Sequence, residues 1–247
     1  MLYKLENYDQ YINSLKNLLI LKDESRFIAQ QLLYLHKQAI IKVDPIIVEL
    51  GVGTGQSTKV FLNAINEKKN AKLISIDIKD CSNSVNSDKW EFIHQDSTDI
   101  INLLREKPEI KQGIDILYVD SLHTAKHVKK EIYSYFKFVK KDGLIIFDDI
   151  DSSPYMTGQR KDSVGTEIAN RKIYKLLEAI FRANMCKIDF KILRGSTGLA
   201  IFKKIVDLGE KLNEPFYIKE RNFDYSIFKR FLKKLLKVFK KFNILKA

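Results

Sequence analysis

The stretch Val48-Glu49-Leu50-Gly51-Val52-Gly53-Thr54-Gly55-Gln56-Ser57-Thr58 decides the fold. An apolar run ends in three glycines at alternate positions and passes straight into an amphipathic segment, which predicts a strand, a tight turn and a helix. Glycines there let the backbone turn sharply and approach a ligand, and the helix start presents unpaired N–H groups. A nucleotide-like ligand suits such a loop, although a bare strand-to-helix turn uses the same glycines. The spacing G-x-G-x-G differs from the G-x-G-x-x-G that lays a pyrophosphate on a helix N-terminus, and this counts against a dinucleotide.

Outward from this loop the pattern repeats. Short apolar runs over 46–50, 72–78, 91–94, 114–119, 144–147, 190–193 and 199–202 read as strands, with helices over 57–68, 97–107, 125–139 and 167–184. Such alternation predicts an α/β, doubly wound, Rossmann-like sheet of seven strands. The last two strands are joined by Arg194-Gly195-Ser196-Thr197, short enough for a hairpin, so the last strand is expected to be antiparallel. Upstream, Leu15, Leu18, Leu19, Phe27, Ile28, Leu32, Leu33 and Leu35 keep helical spacing, broken at 22–25 where Asp23 or Ser25 would cap a second helix. The expected organisation is a helical cover over 1–44, a sheet domain over 45–204, a connector holding Pro215 over 205–221, and a basic amphipathic helix over 222–247.

Composition narrows the class. Only 10 Gly and 4 Pro among 247 residues disfavour a turn-rich all-β fold or a long disordered linker. Cys81 and Cys186 sit in no disulfide or zinc spacing, as expected in a reducing compartment. No signal-peptide core and no apolar run approaching the ~18 residues of a membrane span is present, so a soluble cytoplasmic protein, or one peripheral at the inner face of the membrane, is expected. The net charge is +12, but residues 222–247 alone set Lys229, Arg230, Lys233, Lys234, Lys237, Lys240, Lys241 and Lys246 against Asp224, a net of +7. Ile227, Phe228, Phe231, Leu232, Leu235, Val238, Phe239 and Phe242 recur at three- and four-residue steps on the other face. Three readings compete: a helix on an anionic membrane surface, a helix packed on its own domain or in a homo-oligomer, and, least favoured, nucleic-acid binding.

The next strand ends carry acids. Asp77 lies 22 residues after Gly55, where nucleotide folds use an acidic residue to accept ribose hydroxyls, and Asp96-Ser97 follows the third strand. A strand-end turn or a helix cap would use either aspartate equally well. The glycine string resembles motif I of the class I S-adenosylmethionine-dependent methyltransferases. That resemblance implies a S-adenosyl-L-methionine site formed by Glu49, Gly51, Gly53, Thr54, Gly55 and Ser57, with Asp77 on the ribose and Asp96 and Ser97 beside the adenine.

The fourth strand ends in Asp120-Ser121-Leu122-His123 and the fifth in Asp148-Asp149-Ile150-Asp151. In a doubly wound sheet these ends converge beside the glycine loop, and neighbouring carboxylates repel unless a cation neutralises them; hard oxygen ligands suit Mg²⁺ or a similar divalent ion. A solvated acidic turn is the alternative. Asp120, Asp148 and Asp149 resemble the metal ligands of catechol-type O-methyltransferases. The D-x-x-H of Asp120 to His123 with the acidic pair is still more similar to the macrocin O-methyltransferase and cephalosporin hydroxylase-like group, departing from it at Ser121 and Lys126. The resemblance implies that His123 is a general base, with Asp120, removing a proton from a metal-held hydroxyl of a small-molecule or glycan acceptor, such as a cell-surface polysaccharide or natural-product sugar. His127, four residues beyond His123, offers a weaker zinc-pair reading, and 151–165, with Tyr155, Gly158, Arg160 and Asp162, reads as a substrate lid or a plain surface loop. A NAD(P)-dependent oxidoreductase and a non-catalytic membrane or nucleic-acid adaptor remain competing functions on this fold.

Overall fold

A computed structural model of the chain describes residues 8–161, 163–215 and 223–241. The chain forms two compact units, 1–215 and 216–247. In the first, helices α1 (Tyr8–Leu18) and α2 (Glu24–Ile40) precede strand β1 (Ile46–Leu50), and Asp23 caps α2 by accepting from the Ser25 N–H. Then follow α3 (Gln56–Ile65), β2 (Lys72–Asp77), β3 (Trp90–His94), α4 (Ile100–Glu106), β4 (Ile114–Val119), α5 (Ala125–Tyr135), β5 (Val139–Phe147), α6 (Ser153–Met156), α7 (Val164–Ala183), β6 (Ile188–Leu193) and β7 (Leu199–Lys204). The second unit contributes the helix α8 (Phe223–Lys241).

The seven strands lie in the order β3-β2-β1-β4-β5-β7-β6. Pairings from β3 through β5 are parallel, and β7 runs antiparallel to both β5 and β6, as the short hairpin loop requires. Two departures from the sequence reading have local causes. Strand β5 begins at Val139, before the apolar run, because Val139 pairs with Ile114 and polar Lys140 to Gly143 form an irregularity, with Asp142 at φ 61°, before Leu144 resumes the ladder opposite Ile116. Four residues of the 151–165 segment form α6, with Pro154 in its first turn.

Alternation along the strands divides the core into two layers. Val48, Leu50, Ile74, Leu117, Val119, Ile145 and Phe147 pack with Leu103 of α4, Ile132 and Tyr135 of α5, and Ile173 and Leu177 of α7. On the opposite face Ile47, Leu73, Ile116, Tyr118 and Ile146 pack with Leu15, Leu32, Leu35, Phe61 and Ile65 of α1, α2 and α3. Strand order reverses between β1 and β4, so the connections leaving their C-terminal ends run to opposite faces of the sheet and leave a crevice where open α/β sheets bind ligands. The backbone is stitched across this edge: Gly51 N–H donates to the Ile76 carbonyl at 2.8 Å, Asp120 N–H to Leu50 at 2.8 Å, and Asp148 N–H to Val119 at 3.1 Å.

Candidate active site

The crevice holds a cavity of about 350 Å³. Its walls come from the glycine loop (Gly51, Val52, Gly53, Thr54, Gln56, Ser57), the strand ends (Tyr118, Asp120, Asp148, Asp149), the hairpin turn (Ser196, Thr197), Arg160, and α2 (Ile28, Gln31, Leu32, Leu35). The loop keeps left-handed backbone at Gly51, Gly53 and Gly55, with Gly55 as the N-cap of α3. A Cβ placed on Gly53 would meet no atom within 4 Å, so the loop leaves a backbone cradle open to an occupant.

The acids around the loop take different places. Glu49 is fully buried and absent from the cavity wall. Ser57 Oγ donates to its Oε1 at 2.6 Å, and Thr58 Oγ1 and Ser75 Oγ donate to its Oε2 at 2.8 and 2.6 Å. Burial pushes its carboxyl up to about 7 despite those three hydroxyls, with the charge of Asp120 adding to the rise. Glu49 thus braces the loop from beneath, where the resemblance implied direct cofactor contact. Asp77 Oδ2 accepts from the N–H groups of Val52 and Gly53 at 2.8 and 3.2 Å, and Oδ1 from Lys79 N–H at 2.8 Å. Asp77 lies outside the cavity wall, as does Gly55.

Asp96 is exposed and closes a turn, accepting from Thr98 N–H at 2.8 Å and its hydroxyl at 2.9 Å. Ser97 is buried away from the cavity, where Ser97 Oγ and Ser121 Oγ each donate to Glu131 Oε1 at 2.5 Å. His127 joins this group through Nε2, 3.1 Å from Glu131, which raises its pKa. His127 therefore faces Glu131 while His123 faces the strand ends, and the two do not share a ligand point; α5 starts only at Ala125, after His123. This removes the zinc-pair reading.

Asp120, Asp148 and Asp149 do converge on one cavity. Tyr118 hydroxyl donates to Asp148 at 2.8 Å and reaches Asp120 at 3.4 Å, and Thr197 Oγ1 donates to Asp148 at 3.1 Å. The His123 ring spans the other two carboxylates, Nε2 lying 2.9 Å from Asp120 and Nδ1 2.6 Å from Asp149. Burial first, then the charges of Asp120 and Asp149, pushes Asp148 up to about 7. Burial alone would lower His123, but its hydrogen bonds to Asp120 and Asp149 outweigh that and raise it to about 10. In this arrangement the imidazolium is the cation that balances the acids. The oxygen donors are of the kind a hard divalent ion takes, while among the described residues no three such side chains are disposed around a common ion point.

Sequence reading passed over Tyr118, Thr197 and the α2 wall. Tyr118 had a signal, a hydroxyl in a strand that is aliphatic after Asp115; Ile28, Gln31, Leu32 and Leu35 had none, since their helical spacing only says that one face is covered. Arg160, on the suspected lid, is tied down by an ion pair to Glu24 of α2 and a 3.0 Å bond to Ser196 Oγ. Asp162 lies outside the described residues.

A doubly wound sheet with β7 antiparallel, a glycine loop after β1 and acids at the following strand ends is the class I S-adenosylmethionine-dependent methyltransferase architecture. Residues 48–150 match the family model described as a methyltransferase domain. This displaces the nicotinamide reading. No curated protein matches the sequence. Among solved structures, the MycE methyltransferase of the mycinamycin biosynthetic pathway, with Mg and SAH, is 18% identical over 87% of this chain and 58% of its own, with a TM-score of 0.56. An SAH-bound methyltransferase from Podospora anserina is 13% identical over 81% and 88% of the two chains (TM-score 0.53). A putative caffeoyl-CoA O-methyltransferase from Staphylococcus aureus is 14% identical over 82% and 93% (TM-score 0.51). At these identities the likeness speaks for the fold. The chain spans under three fifths of the length of MycE.

Proposed function

We propose that the protein is an O-methyltransferase that moves the methyl group of S-adenosylmethionine to a hydroxyl of a sugar or glycan with the help of a divalent metal ion. The observation that carries this reading is the convergence of Asp120, Asp148 and Asp149 on the cavity that the glycine loop opens. Structural neighbours solved with Mg and SAH, one of them also with mycinamycin VI, support it.

The chain's residues divide the work. The Gly51–Thr54 backbone and Ser57 would hold the donor, with Asp77 fixing the loop amides from behind. With the His123 ring withdrawn from Asp120 and Asp149, these two and Asp148 would hold the ion, which when bound supplies the positive charge that orients and acidifies an acceptor hydroxyl. Two adjacent acceptor oxygens would suit such an ion, hence the vicinal diol of a sugar. His123 takes the hydroxyl proton. Bridged between two carboxylates it keeps its own proton at neutral pH, so it acts as base only when Asp120 and Asp149 are engaged elsewhere. Much of the acceleration would come from holding donor and acceptor within about 3–3.5 Å.

Labelled S-adenosylmethionine offered with a panel of glycans and sugar nucleotides, read by mass spectrometry, tests the reaction. Asp120→Ala should lower turnover by about 10²- to 10³-fold, with donor affinity by calorimetry changed by less than about threefold. Full activity after exhaustive chelation would remove the metal; heat from NAD(P) with none from S-adenosylmethionine would remove the whole reading.

A further inference from the structure

The catalytic reading leaves α8 without a task. We infer that α8 docks the protein on an anionic lipid surface, lying along the headgroup boundary with its apolar stripe inward. The argument starts from order along the helix. At about 100° per residue, Ile227, Phe228, Phe231, Leu232, Leu235 and Leu236 occupy one half of the turn, and Lys229, Arg230, Lys233 and Lys234 the other.

Exposure makes this segregation unusual. Phe228 and Phe231 are 61% and 59% exposed, and Ile227, Leu232 and Leu236 between 45% and 51%. A soluble helix normally covers such a stripe, and a contiguous exposed one marks an interaction surface. Residues 216–247 also form a compact unit of their own.

Charge selects the partner. Eight basic residues against Asp224 in 222–247 complement a negatively charged surface, and the stripe demands that this surface also accept hydrocarbon. A lipid interface meets both conditions at once. Nucleic acid meets only the first, because both aromatics of the described side chains stand in the apolar stripe and no polar base-reading side chain is interleaved with them. Among the described residues no helix is long and apolar enough to cross a membrane, so the contact would lie in the plane of the surface.

Flotation of the full chain with vesicles of phosphatidylcholine, with and without phosphatidylglycerol as minor component, tests this. Binding is expected only with phosphatidylglycerol and should weaken as salt approaches 1 M, where the Debye length falls to about 3 Å. Phe228→Glu combined with Phe231→Glu should cost at least about tenfold in partitioning by removing the stripe, and Lys233→Glu combined with Lys234→Glu a similar factor by removing charge. Both variants should keep the parent's unfolding temperature and its affinity for S-adenosylmethionine. The inference is overturned by equal binding to neutral vesicles, by no binding, or by either variant floating like the parent. A solution dimer that the stripe substitutions dissociate, or tighter retention on mixed-sequence RNA than on anionic vesicles, also overturns it.

Discussion

A methyl group on Gly51 would lie 2.1 Å from the Asp120 carbonyl oxygen and 3.0 Å from Ser121 Cα, on backbone that already has φ 94°. Two strand ends meet at this point with no side chain between them, which lets the glycine loop and the first acidic residue share a cavity. Gly53 is also left-handed, but a Cβ there would enter open space. The two glycines should therefore respond differently. Gly51→Ala should destabilise the protein by about 3 kcal/mol or more, the upper range for forced overpacking, and should abolish donor binding. Gly53→Ala should cost only about 1–2 kcal/mol, the strain of a left-handed alanine, with the fold intact. Denaturant midpoints and calorimetry on both variants check this, and equal losses would refute it. Residue chemistry also separates Glu49 from the acids beyond it. Three hydroxyls point at Glu49 from α3 and β2, whereas Asp148 and Asp149 face Tyr118, Thr197 and His123. The resemblance to motif I marked Glu49 as a ligand contact; only the side-chain direction shows it beneath the loop.

At the scale of elements, α2 and the segment after β5 complete the site. Gln31 of α2 donates to the Gly195 carbonyl at 2.8 Å, joining the helical cover to the hairpin turn. Arg160 binds Glu24 at the start of α2, Ser196 in the same turn, and Tyr155 hydroxyl at 3.5 Å. Three parts of the chain far apart in sequence thus close one side of the cavity through a single guanidinium. The segment read as a lid or a surface loop is tied to α2 and the hairpin turn by this residue. Arg160→Ala should free it: cleavage by a protease within 151–161 should quicken, and donor affinity should fall about three- to tenfold, consistent with the ~1 kcal/mol of a partly exposed ion pair. Limited proteolysis with and without S-adenosylmethionine is the check; an unchanged cleavage rate would mean that the arginine closes nothing. The described part of the connector, 205–215, has no helix or strand, yet Asn213 N–H donates to Asn184 Oδ1 at 2.8 Å and its carbonyl accepts from Tyr133 hydroxyl at 2.8 Å, which fixes it to α7 and α5.

The whole molecule separates catalytic and basic parts. Both layers of the core lie within 1–215, and the charge excess lies in 222–247. A chain ending at Arg221 is expected to unfold within about 2 °C of the full chain, the shift that under 1 kcal/mol produces at this size, and to bind S-adenosylmethionine unchanged. Differential scanning calorimetry decides this; a larger drop would mean that α8 contributes to the stability of the sheet unit. What the amino-acid order determined alone was the sheet, the glycine loop, the acids at the strand ends and the amphipathic helix. Those features follow from periodicity and from residue types at the boundaries between periods, which are local properties of the chain. The tertiary structure alone decided that the His123 ring spans Asp120 and Asp149, that Asp77 holds the amides of Val52 and Gly53, that Ser97 turns to Glu131, and that α2 walls the cavity. Each joins atoms brought together by crossovers and packing, and a side chain's final direction depends on neighbours that no local pattern names.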